Sequence, residues 1–577
     1  MVYCQILEDL SKLVIRTLAN SLRTNRPEDF IYGIKDILNA HNLVTSNDNW
    51  TLFSCDSFCE PHLEIQSNFL KSAQKLNLST SCLNIPITHY LNHHISCQQN
   101  TSEDFLKFLP NMNLQLLTLQ TNSPSSFDKS QDLLRIGSEK DILMSELLHG
   151  LLKSYGHSLI KKIYIGSISL MELSLTDICH SWKCSPSAAL SPNSFVYKHT
   201  IKAAWLLLWQ YLLLLTRTEI GAYCFAQSYY SPTALFIEFC KATNREFRFL
   251  VPSRLFSHNN LETGEYYIRI LETPEDTCQH THPKITKLLK YLNPGSIAKK
   301  LVMDLIDLRM SGIGADAYSP NITNETEEKL LIEKKINYFT NLSSNVFALY
   351  TSSMDEAYVK DLHYKQLSTN VDHLHDSPFK NQEEWIDETI AHFIIKRRND
   401  LLIIRFHPRL TSNKRDQVDS LEFLEYWDAI SARVNKYPNI ILIHPSSNIS
   451  SYWLAAKAHV ILNGWSSIGI ELALTDHKVF NAFSICTPGG ASISPIHANS
   501  PPIISIEDYI DRIEKVCLLE REDLLDLNLI ISKEEAVIAF LLINETGLVN
   551  LNSPLELLSQ ISTPSLITKS FLARISI

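Results

Sequence analysis

The 577-residue chain lacks the features that mark several classes of protein. Its net charge is -10, and no segment forms the basic stripe with which nucleic-acid binders contact phosphates, so we expect no nucleic-acid partner. Its 12 cysteines include no C-x-x-C pair, which favours free thiols in a reducing cytoplasm. The first residues show no basic stretch followed by an apolar one, so the sequence predicts no signal peptide.

No apolar run reaches the roughly 20 residues that a membrane-spanning helix requires. The most apolar stretch covers residues 203–215 (AAWLLLWQYLLLL), and it is interrupted by Gln210. A buried core helix is the favoured interpretation, and contact with one face of a membrane is the alternative. We therefore expect a cytoplasmic protein, with peripheral association at the inner membrane face left open.

A metal site is not indicated either. Cys278, His280 and His282 lie close together in the sequence. Zinc sites normally have wider, paired ligand spacings, and no second pair of ligands accompanies these three residues. The sequence therefore predicts no metal and no other cofactor.

The length predicts two or more domains. We expect an N-terminal domain over residues 1–334, which on the interpretation given below faces the acceptor, and a C-terminal nucleotide-sugar-binding domain over residues 335–520. A helical segment, residues 521–577, is expected to pack back on both. The N-terminal half gives weaker patterns, with helices predicted over residues 6–22 and 145–155 and strands over 51–54 and 162–165. Residues 274–333 are polar or helical without clear strands, as in an inter-domain region.

The C-terminal half alternates short apolar segments with helical patterns. Apolar strands separated by helices are typical of a parallel sheet covered on both faces. In such sheets ligands bind beyond the carboxyl ends of the strands, so the loops that follow the strands are the places to search. Strands are predicted at residues 345–350, 401–405, 440–443, 460–462 and 479–482, and helices at residues 383–396, 421–437, 452–458 and 468–474.

The loop after the second of these strands contains Arg405, His407 and Pro408. The proline fixes the backbone beside a histidine at a strand end. An imidazole N–H flanked by guanidinium groups suits a phosphate. The alternative is that His407 only bonds a backbone carbonyl.

The loop after the fourth strand is the most informative. Gly464 allows a tight turn, and Ser466 and Ser467 then stand at a predicted helix N-terminus, where an anion is favoured. Glu471 lies four residues after Ser467, on the same helix face. Hydroxyls on a phosphate and a carboxylate on two ribose hydroxyls would make a nucleotide site. The alternative is a helix cap with an exposed glutamate.

Other loops add hydroxyl and carboxylate groups at strand ends. Capping of the following helices is the simpler explanation for some of them, such as the serines before residue 452 and the acids at 355 and 356. Further candidate ligand-binding residues are Ser352, Ser353, Glu356, Ser447, Ser450 and Tyr452.

Four motifs follow one another in the order T-S-S-M-D-E (351–356), R-F-H-P (405–408), S-S-Y-W-L (450–454) and G-W-S-S-I-G-I-E-L-A (464–473). This set resembles bacterial capsule and surface-polysaccharide glycosyltransferases of the GT-B type, including enzymes that use CMP-Kdo or CMP-nonulosonic acids. It is more distantly similar to CDP-glycerol glycerophosphotransferases. The resemblance implies an α/β fold of two Rossmann-like domains that face each other across a cleft. It also implies phosphate contacts from His407, Ser466 and Ser467 and nucleotide contacts from Glu471.

The sequence departs from this pattern at Trp465, where such enzymes often have a small residue. The indole is expected to narrow the pocket or to stack on the base.

The activity that the resemblance implies is transfer of a sugar from a nucleotide donor, foremost a CMP-activated ulosonic acid. The acceptor would be a glycan, lipid-linked or protein-linked molecule in surface-polysaccharide synthesis. His407 would stabilise the leaving phosphate, and Asp177 or Glu172 would deprotonate the acceptor, although a solvated helix start explains both acids as well. The matched region has no D-x-D-like pair, which favours a metal-independent donor site. A CDP-linked polyol-phosphate transferase and a catalytically inactive GT-B scaffold protein remain as alternatives.

Overall fold

The computed structural model describes residues 292–353, 378–482 and 503–576, apart from the short gaps 313–318, 413–417, 465, 563–564 and 566. Elsewhere it describes residues 160–204 with gaps of one or two residues, residues 355 and 358, and strands and parts of helices between residues 9 and 271. The predicted helix at 145–155 lies outside the described residues, as do most of 6–22, most of the apolar run 203–215, and the cysteine and histidines at 278–282.

The strands fall into two larger sheets and one small one. In chain order they are β1 (Glu28–Asp29), β2 (Asn49–Cys55), β3 (Ser79–Ile85), β4 (Gln115–Thr118), β5 (Ile163–Ile165), β6 (Ile168–Ser169), β7 (Ala222–Phe225), β8 (Phe247–Pro252), β9 (Tyr267–Leu271), β10 (Val346–Tyr350), β11 (Leu401–Arg405), β12 (Ile440–Ile443), β13 (Val460–Asn463), β14 (Val479–Asn481) and β15 (Leu548–Asn550).

The helices of the described residues lie mostly in the second half of the chain. They are α1 (Leu170–Trp182), α2 (Pro186–Ala189), α3 (Ser296–Met310), α4 (Glu327–Asn341), α5 (Gln382–Ile395), α6 (Leu421–Val434), α7 (Ser451–Ala455), α8 (Ile468–Leu474), α9 (Ile506–Leu518), α10 (Arg521–Asp526), α11 (Lys533–Glu545), α12 (Pro554–Ser562) and α13 (Lys569–Ile575).

The N-terminal sheet has the strand order β15–β9–β8–β7–β2–β3–β4. The strands β4, β3, β2, β7 and β8 run parallel, and Leu52 in β2 pairs with Cys82 on one side and Cys224 on the other. The chain thus adds strands on both sides of β2, as in a doubly wound Rossmann sheet. The strands β9 and β15 extend this sheet with antiparallel pairings.

The C-terminal sheet has the order β12–β11–β10–β13–β14, and all of its pairings are parallel. Ala348 in the central strand pairs with Ile403 and Ile461. The chain moves outward on one side of β10 and then returns to build the other side, so the topological switch point lies between β10 and β13. The five strands predicted in this half are confirmed.

Both faces of the C-terminal sheet are covered because successive side chains of a strand point to opposite faces. Phe347 and Leu349 pack with α5, α6 and α9 on one face. Val346 and Ala348 pack with α3, α4, α7, α8 and α11 on the other. This double burial explains why the strands are continuous apolar runs rather than alternating ones.

Helix starts in this half follow from short polar side chains. Asn381, Ser420 and Ser450 each accept a hydrogen bond from a backbone N–H in the first turn of α5, α6 and α7. A side chain that satisfies such an N–H stabilises the helix by about 1 kcal/mol. The four helices predicted in this half are confirmed, with no end shifted by more than three residues.

The segment after residue 521 contacts both sheets. Helix α11 packs against α8 and α3 beside the C-terminal sheet, whereas β15 pairs with β9 of the N-terminal sheet. The architecture is therefore α/β with two Rossmann-like sheets, as in GT-B proteins. Within the described part of the chain, every helix is too short or too polar to cross a membrane.

Candidate functional site

A pocket with an empty volume of about 560 Å³ opens beyond the carboxyl ends of the C-terminal strands. It lies at the switch point of the sheet, which is where open α/β sheets bind ligands. Its lining residues are Arg309, Ser319, Tyr350, Thr351, Arg405, Phe406, His407, Pro408, Ser451, Tyr452, Ser466, Ser467, Ile468 and Glu471.

His407 is held in one orientation at the end of β11. Its backbone N–H donates to Thr351 Oγ1 at 2.9 Å, and its ring Nδ1 accepts from the N–H of Arg409 at 3.2 Å. Burial, aided by the positive charge of Arg409, lowers the His407 pKa to about 3. The ring is therefore neutral at pH 7, and since Nδ1 accepts a hydrogen bond, Nε2 carries the hydrogen. A neutral ring of this tautomer carries one N–H donor, and His407 lines the pocket.

Arg405 belongs to the pocket wall, and its guanidinium holds the neighbouring loop. Nη1 donates to the carbonyl of His444 at 2.5 Å, and Nη2 donates to the carbonyl of Ser447 at 3.2 Å. Burial lowers the Arg405 pKa to about 10, so the group stays charged at neutral pH. Both of these hydrogen bonds go to backbone carbonyls of the loop after β12, which gives this residue a structural task.

Arg409 connects the same loop to the N-terminal half. Its Nη2 donates to Asp355 Oδ2 at 2.7 Å and to the carbonyl of His180 at 2.9 Å. His180 stands in the last turn of α1, whose exposed carbonyls favour a cation. The buried pair of Asp355 and Arg409 thus fixes the turn that carries His407.

Glu471 is buried, with 3% of its surface exposed, and it lines the pocket from the first turn of α8. Its Oε2 accepts from Tyr452 Oη at 2.5 Å, and its Oε1 forms an ion pair with Arg309 Nη1. The alternative of a helix cap with an exposed glutamate is therefore wrong.

Ser466 and Ser467 line the pocket at the start of α8. Ser467 is the N-cap residue, but its side chain makes no capping hydrogen bond. The preceding turn is fixed by Asn463, whose Nδ2 donates to Asn481 Oδ1 at 3.0 Å and to the carbonyl of Ser466 at 3.2 Å. Trp465, expected to narrow the pocket, lies outside the described residues.

Several predicted ligand-binding residues take local tasks instead. Ser352 bonds Gln382 through its backbone, with distances of 2.6 and 3.0 Å, and the Ser353 hydroxyl bonds Asp355. The Ser447 hydroxyl donates to Glu328 at 2.7 Å, and Ser450 caps α7. Short polar side chains often form local bonds near helix starts, as Ser353 and Ser450 do here. The predicted residues that do not line the pocket are Ser352, Ser353, Ser447, Ser450 and Gly464, and Glu356 lies outside the described residues.

The predicted acceptor-side acids, Glu172 and Asp177, lie in helix α1. The Glu172 carboxylate accepts from Ser169 N and Ser169 Oγ, both at 2.9 Å, in a capping box. These capping hydrogen bonds agree with the simpler explanation, in which Glu172 belongs to the start of the helix. Asp177 is in the middle of the same helix, and its side chain lies outside the described part of the chain.

The sequence interpretation missed Arg309, Ser319, Tyr350 and Ser451. Arg309 and Ser319 come from the segment interpreted as inter-domain, and no local pattern marks them. Ser319 Oγ accepts from Ser451 N at 2.9 Å and so fixes the start of α7. Tyr350, in contrast, ends a strand and Ser451 begins a helix, and the sequence pattern predicted both of these elements.

Metal ligands do not gather at this site. In the part of the chain that the structure describes, no group of three or more His, Cys, Asp or Glu side chains could hold a metal ion. The chemistry of the pocket is that of N–H and O–H donors, one carboxylate and two arginines.

Known proteins offer limited comparison. No family model and no curated protein matches the chain. Similar solved structures include UDP-GlcNAc 2-epimerases from Methanocaldococcus jannaschii, in complex with UDP-GlcNAc and UDP, and from Neisseria meningitidis, bound to UDP-GlcNAc. Each is 10% identical and covers 85% of this chain and 97% of its own, with TM-scores of 0.28 and 0.30. The N-terminal domain of Candida albicans trehalose-6-phosphate phosphatase is 9% identical over 86% of this chain and 96% of its own, with a TM-score of 0.28. Similarity at this level carries no argument about function.

Proposed function

We propose that the protein is an enzyme that binds a nucleotide sugar in the switch-point pocket and transfers the sugar to an acceptor. The observation that carries this proposal is the convergence of His407, Ser466, Ser467 and Glu471 on one pocket. These residues come from two separate loops, and each supplies a group that a sugar nucleotide needs.

The leaving phosphate would be stabilised by the donors of the pocket. His407 offers a neutral N–H, and Ser466 and Ser467 offer hydroxyls. Donors that are already in place when negative charge develops on the leaving group lower the barrier, and one such donor commonly contributes about 10²–10³ in rate. Charge stabilisation of this kind needs no metal ion, so we propose a metal-independent reaction.

Glu471 would hold the ribose. A carboxylate can accept hydrogen bonds from two neighbouring hydroxyls, and Glu471 lines the pocket near the two serines. By the motif resemblance, we propose a cytidine nucleotide, foremost CMP linked to an ulosonic acid such as Kdo or a nonulosonic acid. The acceptor would be a glycan, lipid-linked or protein-linked molecule of a surface polysaccharide. We propose a cytoplasmic location, with peripheral contact at the inner membrane face as an option.

The group that deprotonates the acceptor remains a separate proposal. Asp177 is the better of the two predicted acids, because the carboxylate of Glu172 is engaged in the cap of α1. Substitution of Asp177 by asparagine is expected to slow transfer without weakening nucleotide binding.

A thermal-shift series with CMP, CDP, UDP and GDP tests the nucleotide site, because a ligand of the native state raises the melting temperature. We expect CMP or CDP to give the largest rise, with calorimetry to confirm the affinity. No binding of any of the four at millimolar concentration would contradict the proposal.

Donor hydrolysis separates the remaining alternatives. Slow release of CMP from a CMP-sugar supports a sugar transferase, and release from CDP-glycerol supports a polyol-phosphate transferase. Nucleotide binding without turnover of either would favour the inactive scaffold. Turnover that is lost with EDTA and restored by magnesium or manganese would contradict the metal-independent reaction.

A further inference from the structure

The carboxylate of Glu471 is paired with an arginine from outside the C-terminal sheet. Arg309 stands in the last turn of α3, and its side chain is 11% exposed, compared with 4% for that of Glu471. Both residues line the pocket, together with His407, Ser466 and Ser467. The ion pair therefore faces the same cavity as the candidate phosphate-contacting residues.

Packing of the C-terminal helices determines where Arg309 stands. Helix α3 packs against α11 and α13, and α11 in turn packs against α8, the helix that carries Glu471. Ala298, Val302 and Ile306 form the buried face of α3 about three, two and one turns before the arginine. The guanidinium is thus delivered to the pocket by a rigid helix.

We infer that Arg309 is a ligand-binding residue, which neutralises Glu471 and at the same time contacts an anionic group of the ligand. This inference rests on the proposed nucleotide function and extends it. A guanidinium carries five N–H donors in a planar fork, so one arginine can serve a carboxylate and a phosphate together. A lone buried carboxylate beside a phosphate would repel it, and Arg309 removes that repulsion.

The ligand class follows from the two charges. Glu471 accepts hydrogen bonds and so selects neighbouring hydroxyl groups, whereas Arg309 selects an anion a short distance away. A nucleoside 5′-monophosphate carries both groups at the ends of one ribose. The site is therefore expected to discriminate strongly between a nucleotide and the corresponding nucleoside.

Calorimetric titration of CMP and of cytidine tests this role. In the native protein we expect CMP to bind much more tightly than cytidine. Arg309→Gln is expected to weaken CMP binding by about tenfold or more and cytidine binding by less than about threefold, because only CMP has the anion. Lys300→Gln, which removes an exposed charge on the same helix, is the matched control and should leave both affinities unchanged.

Two further variants test the inference in case Arg309→Gln does not fold. Arg309→Lys keeps the positive charge but not the fork, and should lower the ratio of CMP to cytidine affinity by an intermediate amount. Arg309→Gln combined with Glu471→Gln removes both charges, so neither is left buried without a partner. If Arg309→Gln does not fold, the ratio of CMP to cytidine affinity must fall in Arg309→Lys and in the double variant instead.

The results that would overturn this inference differ from those that would overturn the proposed function. Equal weakening of CMP and cytidine would mean that Arg309 only supports Glu471, and unchanged binding of both would mean that it has no part in the site; either result overturns the inference alone. A native protein that binds none of the nucleotides overturns the proposed function and this inference together.

Discussion

The loops that follow β11 and β13 deliver polar side chains to the same pocket but hold them differently. After β11, backbone groups within the loop and the adjacent β12 loop hold His407 and Arg405. After β13, the carboxylate of Glu471 depends on Tyr452 and on Arg309, which is brought in by a distant helix. We therefore expect a substitution in the first loop to change turnover without changing stability much. A substitution of Glu471 in the second should change ligand binding and stability together.

The largest effect is expected for His407→Ala. The variant loses an N–H donor at the leaving phosphate, so turnover should fall by about 10²–10³. The backbone N–H of Arg409 loses its bond to the ring, and the melting temperature should change little. Turnover of the CMP-sugar donor and a melting curve measure the two effects. His444→Ala, in a histidine after β12 that is outside the pocket lining, is the control. Near-normal turnover, or an unfolded variant, would show that His407 has another task.

Glu471→Gln should lower both stability and binding. Glutamine leaves the buried Arg309 without its charge partner, which commonly costs about 3 kcal/mol or more in the free energy of unfolding. It can also accept only part of the hydrogen bonds from a ribose, so nucleotide affinity should fall about tenfold. Urea unfolding and calorimetry measure these effects. Glu333→Gln, which breaks the half-exposed pair with Lys457, should change stability by less than about 1 kcal/mol. A stable Glu471 variant would remove the proposed contrast between the loops.

The low pKa of His407 gives the first loop a pH signature. Because the folded pKa of about 3 lies below the usual 6.5, the unfolded chain takes up a proton at higher pH than the native protein does. The contribution of this residue to stability is therefore complete above about pH 6.5 and is lost as the pH falls towards 3. Between pH 7 and pH 5 the loss is about 2 kcal/mol, at 1.36 kcal/mol for each pKa unit. Urea unfolding at both pH values measures how much the free energy of unfolding falls between pH 7 and pH 5. This fall should be about 2 kcal/mol larger in the native protein than in His407→Gln. Parallel pH profiles would contradict the assignment.

The smallest effect is expected for Arg405→Lys. An ammonium cannot reach both carbonyls that the guanidinium bonds, so the free energy of unfolding should fall by about 1 kcal/mol. Nucleotide affinity should stay within about twofold, because the side chain holds a loop rather than the ligand. A loss of affinity that exceeds the loss of stability would place Arg405 among the phosphate contacts.

The C-terminal sheet could be predicted because its strands are buried on both faces. Runs such as 346–350 and 401–404 are apolar without interruption, and a Gly, Pro or Ser stands close after the strand ends. Placing the polar residues at those ends was then enough to find His407, Ser466 and Glu471. The same rule failed for Ser353 and Ser450, because local hydrogen bonds compete for a hydroxyl and the sequence does not say which partner wins.

Arg309 could not be found in this way. It lies in a helix that does not follow any of the predicted strands, and only tertiary packing brings it to the pocket. Glu172 is different, since the sequence does carry the relevant signal. Ser169 followed three residues later by Glu172 is the S-x-x-E pattern of a capping box, and the structure has that cap. That signal favours a structural task for Glu172 over a catalytic one.

The pairing of β15 with β9 has a consequence for how the chain folds during synthesis. Val549 pairs with Ile268, and Arg269 donates to the carbonyl of Thr546 across 277 positions of the sequence. The edge of the N-terminal sheet therefore stays open until residues 548–550 have left the ribosome, and unpaired strand edges favour aggregation. Contacts over such distances also slow folding. A nascent chain arrested before residue 546 should accordingly need chaperone protection at the edge strand β9, although the missing residues lie far along the sequence from it.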